Sequence, residues 1–142
     1  MDAEATRSTN DVDVALERSA LGRLAASAPT YNFQYRHVAG PDMLLDVADP
    51  KARSAVHLIF VREKVRPADV EPIPPFSEPV RTVEGVLLAP VSDLVRMKLT
   101  SFRLKDQVHI QDLDRAGLIT PEIEVSLSEV LRARLAQVRA TE

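Results

Sequence analysis

Arg7-Ser8-Thr9-Asn10-Asp11-Val12-Asp13-Val14-Ala15-Leu16 is the stretch on which the fold of this chain turns. In an extended backbone successive side chains point to opposite faces. Residues 11–16 read as a first strand, so Asp11 and Asp13 share one face. Val12 and Val14 take the other, where a core can receive them. Two carboxylates held side by side repel, and a divalent cation between them relieves the repulsion. Mg²⁺ is usually held by one or two carboxylates together with phosphates and water. The spacing points to a metal site for phosphoryl or nucleotidyl transfer. The plainer reading is a pair of solvated aspartates at the end of an edge strand. With 11 Asp among 142 residues, a D-x-D spacing arises about once by chance. The rest of the chain has to decide.

Outward from this strand, Leu16, Ala20, Leu21, Leu24 and Ala28 recur at helical spacing. They predict a short amphipathic helix over 17–28, ended by Pro29. Phe33 and Tyr35, a turn at Gly40-Pro41-Asp42, then Met43-Leu44-Leu45-Asp46-Val47 predict two strands, followed by a turn at Ala48-Asp49-Pro50. Ala55-Val56-His57-Leu58-Ile59-Phe60-Val61 is the most β-favouring run and predicts a central strand. Residues 67–79 hold five of the ten prolines, which reads as an extended segment wrapping the domain. Gly85-Val86-Leu87-Leu88-Ala89 predicts a last short strand, closed by Pro90.

Helices are expected from there on. Ser92 is the expected N-cap of the first, with Asp93 in its first turn and Val95, Leu99 and Phe102 as its buried stripe. A second helix over 105–116 stops at Gly117, and Thr120-Pro121 starts another turn. Ser126-Leu127-Ser128-Glu129 has the pattern of a capping box opening a last helix. That helix buries Leu127, Leu131, Leu135 and Val138, leaving Arg132, Arg134 and Arg139 in solvent. The element order implies an α+β (small α/β) fold, a mixed β-sheet with flanking helices and a C-terminal helical segment over 92–142. One domain over 1–142 is expected, with residues 1–10 as a polar N-terminal segment.

Composition narrows the function classes. Zero Cys excludes disulfides, thiolate zinc sites and a cysteine nucleophile. A net charge of −3 gives no general attraction to nucleic acid. No cationic start with an apolar run and no long apolar stretch is visible, so the expectation is a soluble, cytoplasmic protein with no membrane partner. There is no G-x-S-x-G, H-E-x-x-H, Walker or G-x-G-x-x-G motif.

A second chemical cluster lies in the helices. Lys98 falls beside the apolar stripe of its helix, and Lys105, His109 and Asp112 are spaced to share one face. A solvated charged face explains them. Alternatively, Lys98 and Lys105 supply positive charge for a triphosphate. Asp112-Leu113-Asp114 repeats the D-x-D spacing, but residues two apart on a helix do not face each other.

Arg7-x-Thr9-x-Asp11-Val12-Asp13 resembles the core motif of the nucleotidyltransferase (DNA polymerase β-like) superfamily. The later Pro90-Val91-Ser92-Asp93-Leu94-Val95-Arg96-Met97-Lys98-Leu99, with Arg103-Leu104-Lys105-Asp106 and Ile110-Gln111-Asp112-Leu113, resembles its AbiEii/AbiGii-type branch. The likeness spans residues 7 to about 119. It implies a nucleotidyltransferase-type sheet on which Asp11 and Asp13 hold Mg²⁺ (or Mn²⁺), with Lys98 joining them in catalysis. Arg7, Thr9 and Lys105 would contact a nucleoside triphosphate. Members of that branch include toxins of toxin–antitoxin pairs that transfer nucleotides to RNA or protein, so an RNA or protein acceptor and an antitoxin are the implied partners.

The chain departs from that pattern twice. The family has a glycine-containing loop ahead of the aspartates, whereas here the first glycine is Gly22. A third carboxylate normally comes from a later strand. The central strand offers His57 there, and Asp46 on a neighbouring strand is the alternative. Three readings follow: a metal-dependent nucleotidyltransferase, a catalytically silent binding or regulatory module of the same fold, or an unrelated α+β interaction domain.

Overall fold

The computed structural model describes residues 12–37, 40–51 and 54–142. Arg7, Thr9 and Asp11 lie outside the described residues. The chain divides into two compact units, one of Ser8–Val65 and one that takes in Arg66–Glu142.

The first unit is built on a four-stranded mixed sheet, with β1 (Val12–Leu16), β2 (Phe33–His37), β3 (Asp42–Asp46) and β4 (Val56–Phe60) in the order β1-β4-β3-β2. β2, β3 and β4 form an antiparallel meander, and β4 is parallel to β1. A parallel pair needs a long crossover, which α1 (Leu21–Ser27) and the β2–β3 hairpin provide. The strand expected at the centre, β4, lies between β1 and β3.

The helix expected over 17–28 is instead α1 flanked by single 3-10 turns at Arg18–Ala20 and Ala28–Tyr31. Pro29 at the start of the second turn has no N–H for a continuing helix. Asn32 then reverses the chain at φ 62°, a left-handed conformation that asparagine tolerates. Leu21, Leu24 and Ala28 pack with Leu16, Phe33, Tyr35, Leu44, Val56, Leu58 and Phe60. Arg18 fixes the first turn by pairing both its Nε and Nη2 with Glu63 and stacking 3.6 Å from the centre of the Phe60 ring.

Val12 and Val14 do not enter this core as expected. They share the face of Leu16 but remain 53% and 39% exposed. β1 is an edge strand, and the packed cluster takes in only its last residue.

In the second unit the proline-bearing segment wraps the helices, as its composition predicts. Asp69 is buried and accepts from the Arg66 backbone N–H at 3.0 Å, while Arg66 donates to Ser101 O at 2.9 Å. Ser128 donates to Glu71 at 3.0 Å, and Ile73 is buried. The expected strand at 85–89 shortens to β6 (Leu87–Leu88), which pairs with β5 (Val80–Arg81) through a turn containing Gly85 at φ 85°.

Four helices follow: α2 (Val91–Ser101), α3 (Leu104–Arg115), α4 (Pro121–Ser126) and α5 (Glu129–Arg139). Pro90, rather than Ser92, is the N-cap of α2. Thr120 caps α4 by accepting from Ile123 N–H at 3.3 Å. Ser128, not Ser126, caps α5 by accepting from Leu131 N–H at 3.3 Å. Ser126 instead closes α4, donating to Ile123 O at 2.6 Å. Val95, Leu99, Ile110, Leu131 and Leu135 are fully buried at the centre of this unit, with Leu127 and Val138 beside them. Phe102 packs, partly buried, against this cluster as expected and ends α2 in a left-handed conformation at φ 51°.

Two arginines expected in solvent are structural. Arg134 donates to the terminal carbonyls of α2, Leu99 O at 2.8 Å and Thr100 O at 2.9 Å, and lies 5.0 Å from the Phe102 ring centre. Arg139 pairs with both oxygens of Asp114 and with Glu124, all at 2.9 Å, joining α3, α4 and α5.

Gly117 ends α3 at φ 72°, with open space where a Cβ would stand. Gly117→Ala is therefore expected to cost only the left-handed strain, about 1 kcal/mol, measured as a lower urea midpoint at unchanged slope.

Candidate functional site

The sheet brings one expected acidic residue beside one expected alternative. Asp13 on β1 is the register partner of His57 on β4, and Met43 on β3 and Arg36 on β2 continue the row. Register partners project from the same face. Asp13 Oδ1 lies 3.6 Å from His57 Nδ1, with Asp13 exposed and His57 half-buried. This row is on the face away from α1, since Leu44, Leu58 and Phe60 on the alternate positions form the α1 core.

The same alternation settles the position of Asp46. It shares the face of Leu44, opposite to Asp13, and its Oδ1 accepts from Ala48 N–H at 2.9 Å to turn the chain after β3. Of the two alternatives for the third ligand, only His57 stands beside Asp13. Among the described residues no three His, Asp or Glu are grouped so as to hold a metal ion.

The donor set fits a divalent ion if the ligand brings its own oxygens. Asp13 offers a carboxylate and His57 an imidazole nitrogen, and an ion held by one or two side chains takes its remaining ligands from phosphates and water.

Lys98, the expected catalytic lysine, has a partner within the helical unit. Its Nζ lies 3.2 Å from Oδ1 of Asp106, a carboxylate with no exposed surface. Asp106 Oδ2 also accepts from Ser101 Oγ at 2.7 Å, Arg103 N–H at 3.1 Å and Arg103 Nε at 2.8 Å. Burial by itself would push this carboxyl up. The hydrogen bonds from Arg103 and Ser101 and the charges of Lys98 and Arg103 outweigh it and hold the pKa down at about 2. Lys105 is exposed on α3. Asp114 of the second D-x-D is taken by Arg139.

One polar cluster was not foreseen. Asp42 on β3 accepts a hydrogen bond from the Tyr35 hydroxyl, and its Oδ1 lies 3.1 Å from His37 Nδ1. The bond to Asp42, then burial, raises the Tyr35 pKa. The signal was present in the alternation Tyr35-x-His37 opposite Asp42 in the hairpin. A hollow of about 380 Å³ lined by Tyr31, Asn32, Phe33, Asp46, Val47 and Ala48 shares no residue with the Asp13–His57 pair.

No family model, curated protein or solved structure matches the chain. Among the described residues no helix is long and apolar enough to cross a membrane.

Proposed function

We propose that this chain is a metal-dependent protein of nucleotidyltransferase type, which transfers a nucleotide from a nucleoside triphosphate to an RNA or protein acceptor. The observation that carries the reading is Asp13 at the exposed edge of the sheet, shoulder to shoulder with His57 on the central strand. Asp13 and His57 would hold the ion, with Asp11 expected beside them from the strand alternation. A divalent ion held by these residues would supply charge neutralisation for the transfer. In the reaction an acceptor hydroxyl oxygen bonds to the α-phosphorus as the bond to the bridging oxygen breaks. Pyrophosphate leaves and the hydroxyl proton passes to solvent. The likeness to toxin-related proteins, including the Lys98 block, supports an antitoxin partner and a toxin–antitoxin setting.

Incubation with Mg²⁺ or Mn²⁺, α-labelled nucleoside triphosphates, and tRNA or a protein acceptor tests this. Asp13→Asn is expected to cut label transfer by about 100-fold, and equal transfer by both proteins would overturn the proposal.

The engagement of Lys98 by Asp106 favours a second reading, a catalytically silent module of the same type that serves in binding or regulation. On that reading no label is transferred, and calorimetry shows no metal-dependent binding of triphosphate in the micromolar range.

A further inference from the structure

We propose that the hollow at the base of the β2–β3 hairpin binds an alkylated ammonium cation. Its volume of about 380 Å³ is at the small end of the range of ligand pockets. Four of its lining residues, Tyr31, Phe33, Val47 and Ala48, are aromatic or aliphatic, and Asp46 is the charged one among them. The site is independent of the metal edge proposed above, because Asp46 projects from the opposite face of the sheet to Asp13 and takes no part in that reading.

The backbone forms the hollow before any ligand arrives. Asn32, at φ 62°, donates its N–H to Pro29 O at 3.1 Å and accepts from Val47 N–H at 3.0 Å. That second bond makes Phe33 and Asp46 the next, non-hydrogen-bonded pair of the ladder, the kind whose side chains stand closest. A ring and a carboxylate are therefore held side by side. Tyr31, the second ring of the lining, is 71% exposed and so open to a ligand.

Ring faces attract cations, and the carboxylate beside them adds to the pull. Among the described residues no cation pairs with Asp46, and Lys51, the nearest in sequence, lies 3.7 Å from Asp49 instead. Asp46 Oδ1 already accepts from Ala48 N–H at 2.9 Å. That leaves a poor match for a guanidinium, which takes both oxygens of a carboxylate at once. A primary ammonium brings three donors, and each one left unmet costs free energy. An alkylated ammonium has no such need. Its charge is spread over carbon groups that pack against the two rings, Val47 and Ala48 while facing Asp46.

The probe is tetramethylammonium, titrated into the full chain and followed by NMR through the backbone amides of residues 31–33 and 46–48. Those signals are expected to shift together and to saturate with a Kd in the millimolar range, the reach of so small a ligand. tert-Butanol, neutral and of similar size, should shift them about fivefold less at the same concentration. Tyr31→Ala and Asp46→Asn should each weaken binding about fivefold. Neither threatens the fold, since Tyr31 is exposed and an asparagine oxygen still accepts from Ala48 N–H. Tyr31→Phe, which keeps the ring, should bind as the wild type does.

A short peptide carrying one trimethyllysine, titrated beside the free cation, distinguishes the source. Tighter capture of the peptide assigns the cation to a protein side chain, and equal or weaker capture assigns it to a free methylated amine; both support the site. No saturable shift at concentrations well above the millimolar range, equal shifts by tert-butanol, or unchanged binding in Tyr31→Ala and Asp46→Asn overturns the proposal.

Discussion

Asp106→Ala is expected to destabilise the helical unit by about 3 kcal/mol, near the lower end of the 3–5 kcal/mol seen when one partner of a buried ion pair is removed. The carboxylate has no exposed surface and accepts from Ser101 and Arg103 while facing Lys98. Its removal takes an acceptor away from Lys98, Ser101 and Arg103, and with it the side chain that caps the start of α3 through Arg103 N–H. Lys98 and Arg103 are partly exposed and can recover water, which keeps the loss from the upper end. Urea unfolding followed by circular dichroism measures it, and a change below about 1 kcal/mol, the net value of one ordinary hydrogen bond, would show the cluster to be incidental.

The same carboxylate has a pH signature with a definite sign. Its pKa in the folded protein, about 2, is below its ordinary value of 3.8. A depressed carboxyl contributes stability that is complete above the ordinary value and is lost as pH falls through the folded one. Wild-type stability should therefore drop by about 2 kcal/mol between roughly pH 4 and pH 2 from this group alone. Asp106→Ala should lack that portion of the slope.

Leu135→Ala should be as damaging by a different route. Leu135 is fully buried among Val95, Leu99, Ile110 and Leu131, so truncation removes transfer free energy and leaves a cavity. Leu→Ala changes at such sites cost about 3–5 kcal/mol. Val130 on the same helix is 49% exposed, and Val130→Ala should stay within about 0.5 kcal/mol. Thermal melts of the two variants side by side check the contrast. Similar losses would mean that α5 is not seated by the face containing Leu135.

Local chemistry made much of the fold legible. β4 was readable because its run of branched and aromatic residues has no competing helical period. The β2–β3 hairpin was readable from Gly40-Pro41, and α3 and α4 from Gly117 and Thr120-Pro121. The alternation within residues 12–16 gave the face of Asp13 on β1, but not the neighbour of that residue. Whether Asp46 or His57 stands beside Asp13 depends on pairing between strands more than 40 residues apart, which no local pattern encodes. Two cap-forming serines two residues apart, Ser126 and Ser128, offered alternative starts for α5, and only the packing of α4 decides between them. The Lys98–Asp106 pair was hidden by Phe102, whose left-handed turn places the end of α2 beside the start of α3. Arg134 and Arg139 looked solvated because their partners belong to other helices.

The exposed valines of β1 point to a second role for Asp13, apart from the proposed metal site. Val12 and Val14 flank it on an edge strand whose outer hydrogen-bonding groups have no partner strand among the described residues. Such edges invite pairing with a second chain, and a charge in the middle of the strand discourages it. Asp13 is thus placed where a charge guards an edge strand against pairing with a second chain. The Asp13→Asn protein, with a neutral side chain in the middle of this edge, should form more aggregate on storage than the wild type. The label-transfer test of the proposed function therefore has to be read on a freshly isolated monomeric fraction, where a chemical defect is distinct from lost protein.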